Sequence, residues 1–394
     1  MSKSKANPIC VAVVLMAVVV LISCAVPALH RSMDTPGSAE ATVAPAKLSV
    51  VMKAHIGALK YLTFAPGGRY VAGIADNGKI IAYTSRGVKC YSTQVAGANR
   101  VALAPDGSFG IVFSRLDPSN TTCVFIDSQG HTRWKKKLRG SIWCADSCCT
   151  DGGTRFVIGT GKKRVYVIDI GERRRRCRWW RTPGAVVSVD VDAEGKDVIL
   201  GTWQNSTVQR RSIRGRRIWS MDVDDSAMPM VERLVSSDRV CVRYISKSRS
   251  ANASFDLIDT NGRIASSGTI DSRKKSRVLF SPSAKYICTG SVQTILHKGK
   301  SMTQKRTTLQ ECSGKRIWEK GSVFFQAEPI MVSARGDVLM QDGNNTLFIA
   351  SASGSLEQTI KLSAKMLRNA MSQDGSLCGV NCSDGNLYVL KMSP

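Results

Sequence analysis

The sequence has few of the residues on which many enzymes and fibrous proteins depend. Its 394 residues include four histidines, 12 prolines and 6% aromatic side chains, and a single long apolar run. These shortages exclude collagen-like chains and multi-span membrane proteins, and no heptad repeat indicates a coiled coil. Acidic residues are also scarce, 30 against 56 basic ones, so the net charge is +26. With 43% hydrophobic residues the chain can still bury a core, which excludes a disordered protein.

The histidines do not form a catalytic pattern. They stand alone at His30, His55, His131 and His297. The sequence has no His-rich metal motif, no Gly-x-Ser-x-Gly turn, no phosphate-binding Gly-Lys-Ser/Thr loop and no Gly-x-Gly-x-x-Gly fingerprint after a strand. We therefore predict no catalytic, cofactor-binding or metal-binding residues.

Residues 1–29 have the pattern of a membrane-directing leader. Two lysines precede an apolar run over 9–29, which is long enough as a helix, about 31 Å, to span a bilayer. Leu21–Cys24 resembles a bacterial lipobox, which makes Cys24 a lipidation candidate; an uncleaved anchor and a soluble signal cleaved near Val26–Ala28 are the alternatives. Each alternative places the body outside the cytoplasm, on the periplasmic or cell-surface side.

Residues 30–46 are small, polar and Pro-containing, which predicts a flexible tether. Beyond this tether, no segment of 47–394 shows a sustained helical period. Short runs rich in β-branched residues replace it, such as Arg164–Asp169 and Asn386–Leu390. We predict an all-β domain over 47–394.

Two kinds of turn recur along this domain. The first follows an apolar run and occurs eight times, at Ala65–Gly68, Ala104–Gly107, Thr150–Gly153, Asp192–Gly195, Ser236–Asp238, Ser281–Ala284, Ser333–Gly336 and Ser372–Gly375. The second centres on a glycine, often with an acidic or hydroxyl residue three positions earlier and an aromatic four positions later. It occurs seven times, at Gly87, Gly130, Gly171, Gly215, Gly262, Gly314 and Gly354.

A unit of roughly 43 residues with four short strands is the signature of a β-propeller. The last unit, 365–394, has only three predicted strands, whereas Lys47–Ala54 reads as an isolated strand ahead of the first unit. We predict a single eight-bladed propeller of four-stranded antiparallel blades, in which this N-terminal strand completes the last blade. Seven blades are the alternative.

The glycine-centred turns resemble those of quinoprotein-type propeller repeats. Asp127–Trp134 is the cleanest match to their Asp-x-x-Gly-x-x-x-Trp pattern, while Ala104–Gly107 looks equally like a WD40-type turn. With its leader, the chain resembles membrane-anchored quinoprotein-repeat propellers, including the lipoprotein subunit of the bacterial outer-membrane protein assembly machine. The resemblance implies a propeller fold in which tryptophans pack between blades instead of binding ligands, with Trp134, Trp219 and Trp318 in this role.

Cysteine is more frequent than export would suggest. Eleven cysteines follow the leader, an odd number, and most interrupt apolar runs as small buried residues do. Cys148 and Cys149 are adjacent, and quinone-dependent dehydrogenases of the resembled fold use a vicinal disulfide. This pair supports a redox-enzyme alternative, which lacks the calcium ligands and stacking tryptophan of those enzymes.

The positive charge belongs to the predicted propeller and is clustered beside its tryptophans. A second cluster, Arg273–Lys275 with Arg277, falls in an inter-blade connection. We predict that the first set forms a basic rim that binds partners or anions: Lys135, Lys136, Lys137, Arg173, Arg174, Arg175, Arg176, Arg178, Arg181, Arg214, Arg216 and Arg217.

The sequence therefore predicts a non-catalytic, membrane-tethered scaffold that binds protein partners. The alternatives are a module that binds anionic polymers or lipid headgroups through the basic rim, and a quinone-dependent oxidoreductase. Nucleic acid is a less favoured partner, because no nucleic-acid module is recognisable and export would separate the chain from it.

Overall fold

The computed structural model describes residues 47–117, 119–171, 175–223, 227–234, 237–246, 253–270, 277–297, 300–321, 327–343 and 345–393. The predicted leader and tether, with Cys24, lie outside these residues. All regular elements in the described ranges are strands. None of those residues forms a helix of the length and apolarity needed to cross a bilayer.

The first half of the described chain contributes one N-terminal strand and four sheets, named blades I to IV in chain order. Their strands are β1 (Lys47–His55); in blade I, β2 (Leu59–Phe64), β3 (Tyr70–Ala75), β4 (Lys79–Thr84) and β5 (Lys89–Gln94); in blade II, β6 (Ala98–Leu103), β7 (Phe109–Asp117), β8 (Asn120–Asp127) and β9 (Thr132–Arg139); in blade III, β10 (Ile142–Thr150), β11 (Gly153–Thr160), β12 (Arg164–Ile170) and β13 (Arg175–Arg181); in blade IV, β14 (Ala185–Val191), β15 (Asp197–Trp203), β16 (Thr207–Ser212) and β17 (Arg217–Asp222).

The second half contributes blades V to VIII. Their strands are, in blade V, β18 (Ala227–Arg233), β19 (Val240–Ser246), β20 (Ala253–Ile258) and β21 (Ile264–Ile270); in blade VI, β22 (Arg277–Phe280), β23 (Tyr286–His297), β24 (Lys300–Glu311) and β25 (Arg316–Lys320); in blade VII, β26 (Glu328–Val332), β27 (Val338–Gln341), β28 (Thr346–Ala350) and β29 (Leu356–Lys361); in blade VIII, β30 (Met366–Met371), β31 (Leu377–Cys382) and β32 (Asn386–Ser393).

The N-terminal strand completes blade VIII. β1 pairs antiparallel with β32, from Lys47↔Ser393 to His55↔Asn386, and gives the sheet order β1-β32-β31-β30. The described residues thus form an eight-bladed β-propeller of four-stranded antiparallel blades. The prediction of eight blades closed by this strand is confirmed, and the seven-bladed alternative is wrong.

Both predicted kinds of turn are present, and glycine chemistry explains them. In the first kind the N–H of Gly107 donates to the carbonyl of Ala104 (3.0 Å), and in the second the N–H of Gly130 donates to the carbonyl of Asp127 (2.9 Å). Gly107 and Gly130 have φ values of 71° and 84°, in the left-handed region that a side chain disfavours. The recurring glycines therefore mark the hairpin ends of the blades.

Backbone hydrogen bonds between turns distinguish the two ends of the blades. The third-to-fourth-strand turn lies beside the first-to-second-strand turn, as when the N–H of Ser85 donates to the carbonyl of Arg69 (2.8 Å). We call this side the turn face. At the other end, the connection after the fourth strand lies beside the second-to-third-strand turn, as when Thr182 donates to Lys163 (3.0 Å). We call that side the connection face.

The core consists of apolar layers between adjacent blades. Between blades II and III it contains the fully buried rings of Phe113, Phe125 and Phe156, each of which stabilises the fold by about 1.5–3 kcal/mol. The first strands of neighbouring sheets contact each other, including β2 with β30 across the closure. First strands therefore lie innermost, and fourth strands form the outer circumference.

Candidate binding surface on the outer strands

The predicted basic rim lies on the outer strands of three consecutive blades. β9, β13 and β17 are the fourth strands of blades II, III and IV. Arg173 and Arg174 lie outside the described residues. We call the other ten residues the basic belt: Lys135, Lys136 and Lys137 on β9; Arg175, Arg176, Arg178 and Arg181 on β13; Arg214 and Arg216 in the turn before β17; and Arg217 on β17. All of them except Arg178 are exposed.

The belt has little acidic charge of its own. β9 and β13 contain no carboxylate, and β17 has one at its end, Asp222. The outer strand of blade VI differs, because Glu319 on β25 pairs with Arg306 (3.0 Å) and Arg316 (3.3 Å). The belt thus concentrates positive charge on the outer strands of three consecutive blades.

The pleat of β13 divides its arginines between the two sides of the strand. Tyr166 and Ile168 on β12 pack in the core shared with blade II, and their partners across the ladder are Trp179 and Cys177. Val165 and Val167 pack in the core shared with blade IV, and their partners are Trp180 and Arg178. Since alternate residues face opposite sides of a strand, the belt is not one continuous patch.

On the blade II side, Trp179 accompanies Arg175 and Arg181. On the blade IV side, Trp180 accompanies Arg176 and Arg178.

One predicted binding residue is already engaged in the fold. Arg178 Nη2 lies 3.3 Å from Asp169 Oδ2, and Arg155 Nε lies 2.5 Å from the other oxygen of Asp169. Arg155 also donates to the carbonyl of Gly195 in blade IV. Arg178 is therefore part of an ion-pair cluster that supports the blade III–IV junction, and is less free to meet a partner than its exposed neighbours.

The three predicted blade-packing tryptophans lie at partly or fully buried positions on outer strands. Trp134 stacks on Phe125, with ring centroids 4.5 Å apart. The indole N–H of Trp219 donates to the carbonyl of Thr260 in blade V (3.0 Å). Aromatic residues recur beneath the turn glycine of the following blade, so closely that a Cβ there would collide with the ring; the pairs are Tyr91/Gly130, Trp180/Gly215, Trp219/Gly262 and Trp318/Gly354.

Blade III departs from this repeat, and Trp179 is the consequence. Trp180 packs beneath Gly215. In blade II, Trp134 lies opposite Phe125, two residues before the turn at Asp127; the corresponding position in blade III, opposite Val167, is held by Arg178. Trp179 faces the other side and is 47% exposed. Trp179 therefore does not make the contact with the turn of blade IV, because its neighbour Trp180 makes it.

The exposed indole is flanked by cations. The guanidinium of Arg164 lies 4.2 Å from the ring centroid of Trp179, and Arg164 lies opposite Arg181 in the ladder. A cation stacked on an aromatic face contributes about 0.5–1 kcal/mol at an exposed site. This contact favours one mutual arrangement of the Arg164 and Trp179 side chains.

No protein-family model matches the sequence, and no curated protein is significantly similar to it. Solved structures are similar in fold. The Dos1 propeller aligns with a TM-score of 0.63 at 10% identity, covering 87% of this chain and 95% of that one. BamB from Moraxella catarrhalis aligns with a TM-score of 0.57 at 13% identity, covering 88% and 98%. Kuenenia stuttgartiensis hydrazine synthase aligns with a TM-score of 0.52 at 16% identity, covering 76% and 96%.

At these identities the likeness establishes the β-propeller fold. One of these similar structures is of an enzyme, so the fold alone does not separate a scaffold from a catalyst.

The vicinal cysteines do not form a disulfide. Both are free thiols on β10, with Cys148 buried and Cys149 exposed, as expected for neighbours on a strand. Burial raises the pKa of Cys148 to about 12 and also raises the pKa of Cys149, so neither thiol is activated as a thiolate. Within the described ranges, no group of three or more His, Cys, Asp or Glu side chains could hold a metal ion.

Two buried aspartates on the innermost strands were not predicted from the sequence. Asp146 on β10 accepts a hydrogen bond from the N–H of Val191 (2.8 Å), and Asp190 on β14 accepts one from the N–H of Arg233 (2.8 Å). The side chain of Arg233 on β18 also lies beside Asp190, with Arg233 Nε 3.2 Å from Asp190 Oδ1. The two carboxylates thus link the first strands of blades III, IV and V by hydrogen bonds and an ion pair near the ring axis.

Burial is the main influence on these carboxyl groups. It raises the pKa of Asp146 to about 6, and burial together with the nearby Asp146 charge raises the pKa of Asp190. The sequence signal was an aspartate inside an otherwise apolar run, Val-Ser-Val-Asp-Val at 187–191. Arg164 and Trp179 carried no comparable signal, because their proximity depends on strand register.

Proposed function

We propose that this chain is a non-catalytic protein-interaction scaffold, tethered to the extracytoplasmic side of a membrane by its N-terminal segment. The observation that carries the proposal is the basic belt. Nine of its ten described residues are exposed on consecutive outer strands or in the turn before β17, with little acidic charge among them. Such a surface steers and holds acidic partners.

The tether rests on the sequence of the leader. A ring closed by its own N-terminal strand leaves residue 47 at the outer circumference, on the strand farthest from the ring axis.

The scaffold can be tested by photo-crosslinking in the membrane. A photoreactive amino acid placed at Lys135, Arg176 or Arg214 should trap the same one or two proteins, in yields approaching one partner per chain. The same amino acid at Leu356, an exposed position on outer strand β29 of blade VII, is the matched control and should trap far less. Mass spectrometry identifies the adducts; belt adducts consisting only of lipid or polysaccharide would contradict the proposal.

The same belt favours a second candidate function, retention on anionic polymers or lipid headgroups. Lys135–Lys137 present three consecutive ammonium groups, which act as point charges and do not need the directed geometry of a protein interface.

Charge reversal separates the two candidates. The triple change Lys135→Glu, Lys136→Glu and Lys137→Glu should weaken a polymer- or lipid-binding protein at least tenfold in cosedimentation with phosphatidylserine vesicles at low salt. A scaffold should lose mainly the association rate with its protein partner. Vesicle binding that is absent in the unaltered chain would remove the second candidate, and the control Lys361→Glu on β29 should have little effect.

A further inference from the structure

The packing between blades does not use one large aromatic residue of β13, Trp179. In blade III the inter-blade contact with Gly215 is made by Trp180, and the adjacent Trp179 faces blade II with 47% of its surface exposed. Exposing that much of an indole to water forgoes stabilisation that burial would supply. Neither the repeat nor the packing of blade III accounts for a tryptophan at this position.

Trp179 lies on the side of β13 that faces the outer strand of blade II. On the blade II wall, Lys136 and Leu138 alternate with residues that face away, and Leu138 is buried in the core shared by the two blades. On the blade III wall, Arg175, Trp179 and Arg181 lie on one side of β13. The name Trp179 groove refers to these residues: Lys136, Leu138, Arg164, Arg175, Trp179 and Arg181.

The positive charges of the site lie at both ends of β13. β13 begins at the turn face with Arg175 and ends at the connection face with Arg181, where Arg164 and Trp179 lie stacked. Cationic side chains thus mark both ends of the strand, and an indole lies near the second end. This spacing fits an extended ligand that alternates acidic and apolar groups.

β13 also provides a backbone edge. It pairs with β12 along seven residues, and no described strand pairs with its other edge. An unpaired edge can hydrogen-bond an added strand, while the side chains on either face read its sequence. The arginines beside this edge disfavour pairing with an uncharged strand and favour pairing with an acidic strand.

We propose that the Trp179 groove and the edge of β13 bind an extended, acidic segment of a partner protein as a fifth strand of blade III. The added segment places acidic residues opposite Arg175 and Arg181 and an apolar residue opposite Trp179. This site rests on the proposed scaffold function and names the partner's chemistry.

The composition of the site distinguishes such a segment from other anions. A lipid surface or a simple polyanion needs only dispersed positive charge, which Lys135–Lys137 supply. Tryptophan and arginine held together beside a strand edge are typical of the energetic centre of a protein interface. Stacking of nucleic-acid bases on Trp179 would use the indole but not the backbone edge.

The test begins with a phage-displayed library of random twelve-residue peptides, selected on the full chain and counter-selected on Trp179→Ala. Enriched peptides should contain acidic residues at alternating positions around an apolar one. The dissociation constant of a synthetic enriched peptide, measured by fluorescence anisotropy, should rise at least tenfold for Trp179→Ala and for Arg181→Ala. Trp179→Phe should recover much of the loss.

Two controls isolate the mechanism. Leu356→Ala, at an exposed apolar position on outer strand β29, should leave peptide affinity unchanged. Methylating the backbone nitrogens along one edge of the peptide preserves its charge but removes strand addition, and should weaken binding at least tenfold.

Several results would overturn the proposal: no enriched peptide, enrichment of non-acidic sequences, equal binding of the N-methylated peptide, or equal binding of polyglutamate, single-stranded DNA or phosphatidylserine vesicles. If Trp179→Ala leaves the crosslinked partners of Lys135 and Arg214 in place, the groove is refuted while the scaffold stands. If those positions trap no protein, the scaffold itself fails.

Discussion

Deleting residues 47–55 should abolish cooperative folding of the propeller or lower its melting temperature by about 10 °C or more. The deletion removes β1, which pairs with β32 along its whole length and buries Leu48 and Met52. Losing a buried Leu or Met side chain costs about 2–5 kcal/mol each, and about 1 kcal/mol corresponds to 2–4 °C in a domain of 150–250 residues. The deletion also leaves β32 as an unprotected edge, so aggregation should rise.

Thermal unfolding followed by circular dichroism, with light scattering for aggregation, measures this effect. Val50→Ala is the matched control on the same strand, because Val50 is 48% exposed; it should change stability by less than about 0.5 kcal/mol. Appending residues 47–55 after Ser393 through a short flexible loop should restore the melting temperature, since β1 runs antiparallel to β32. A deleted chain that melts and stays soluble like the intact one would show that β1 is not needed to close the ring.

Arg233→Met should destabilise the folded chain by about 3–5 kcal/mol at neutral pH. Asp190 is 6% exposed, and Arg233 is the cation that faces it at 3.2 Å. Removing one member of a buried ion pair leaves the other as an uncompensated charge in a poorly solvated site. Arg316→Met, which removes a side chain 66% exposed and paired with Glu319, should cost less than about 1 kcal/mol.

The loss should depend on pH in a defined direction. Burial and Asp146 raise the pKa of Asp190 above 3.8 in the folded chain, so folded Asp190 holds a proton more tightly than unfolded Asp190. Its contribution to stability therefore falls as pH rises, and without Arg233 the pKa rises further. The deficit of Arg233→Met should be smaller at pH 5, where Asp190 can be neutral, than at pH 8.

Urea unfolding at both pH values measures this difference. The double change Asp190→Asn and Arg233→Met should recover most of the lost stability, because no charge is left unpaired. An equal deficit at both pH values, or a double variant as unstable as Arg233→Met, would mean that the pair is not the cause.

The propeller could be predicted because its signals are local and repeated. Many hairpin ends carry a turn residue that the backbone conformation favours, such as Gly107 or Gly130, and the recurrence of these turns indicated the number of blades. The missing fourth strand of the last unit and the isolated strand at 47–54 completed the inference. Because pairing these two fragments completes a four-stranded blade and closes the ring, they had one economical arrangement, which the structure adopts.

The candidate site was predicted only as a composition. The sequence showed that Arg173–Arg181 is basic and interrupted by tryptophans, and repeat spacing placed it on an outer strand. It did not show that Arg178 is held by Asp169, because that depends on which residues of β12 and β13 lie opposite each other. A shift by one residue would have exchanged the two faces of the strand.

The sequence by itself determined the all-β class, the eight repeats, the strand that closes them and the segments that hold the excess charge. Only the tertiary structure decided which basic residues are exposed and which tryptophan is not used in packing between blades. It also brought Asp146, Asp190 and Arg233 together on three innermost strands. The physical reason is range. Turns and strand patterns are set by neighbours in sequence, whereas exposure and charge pairing are set by ladder register and by contacts between blades some 40 residues apart.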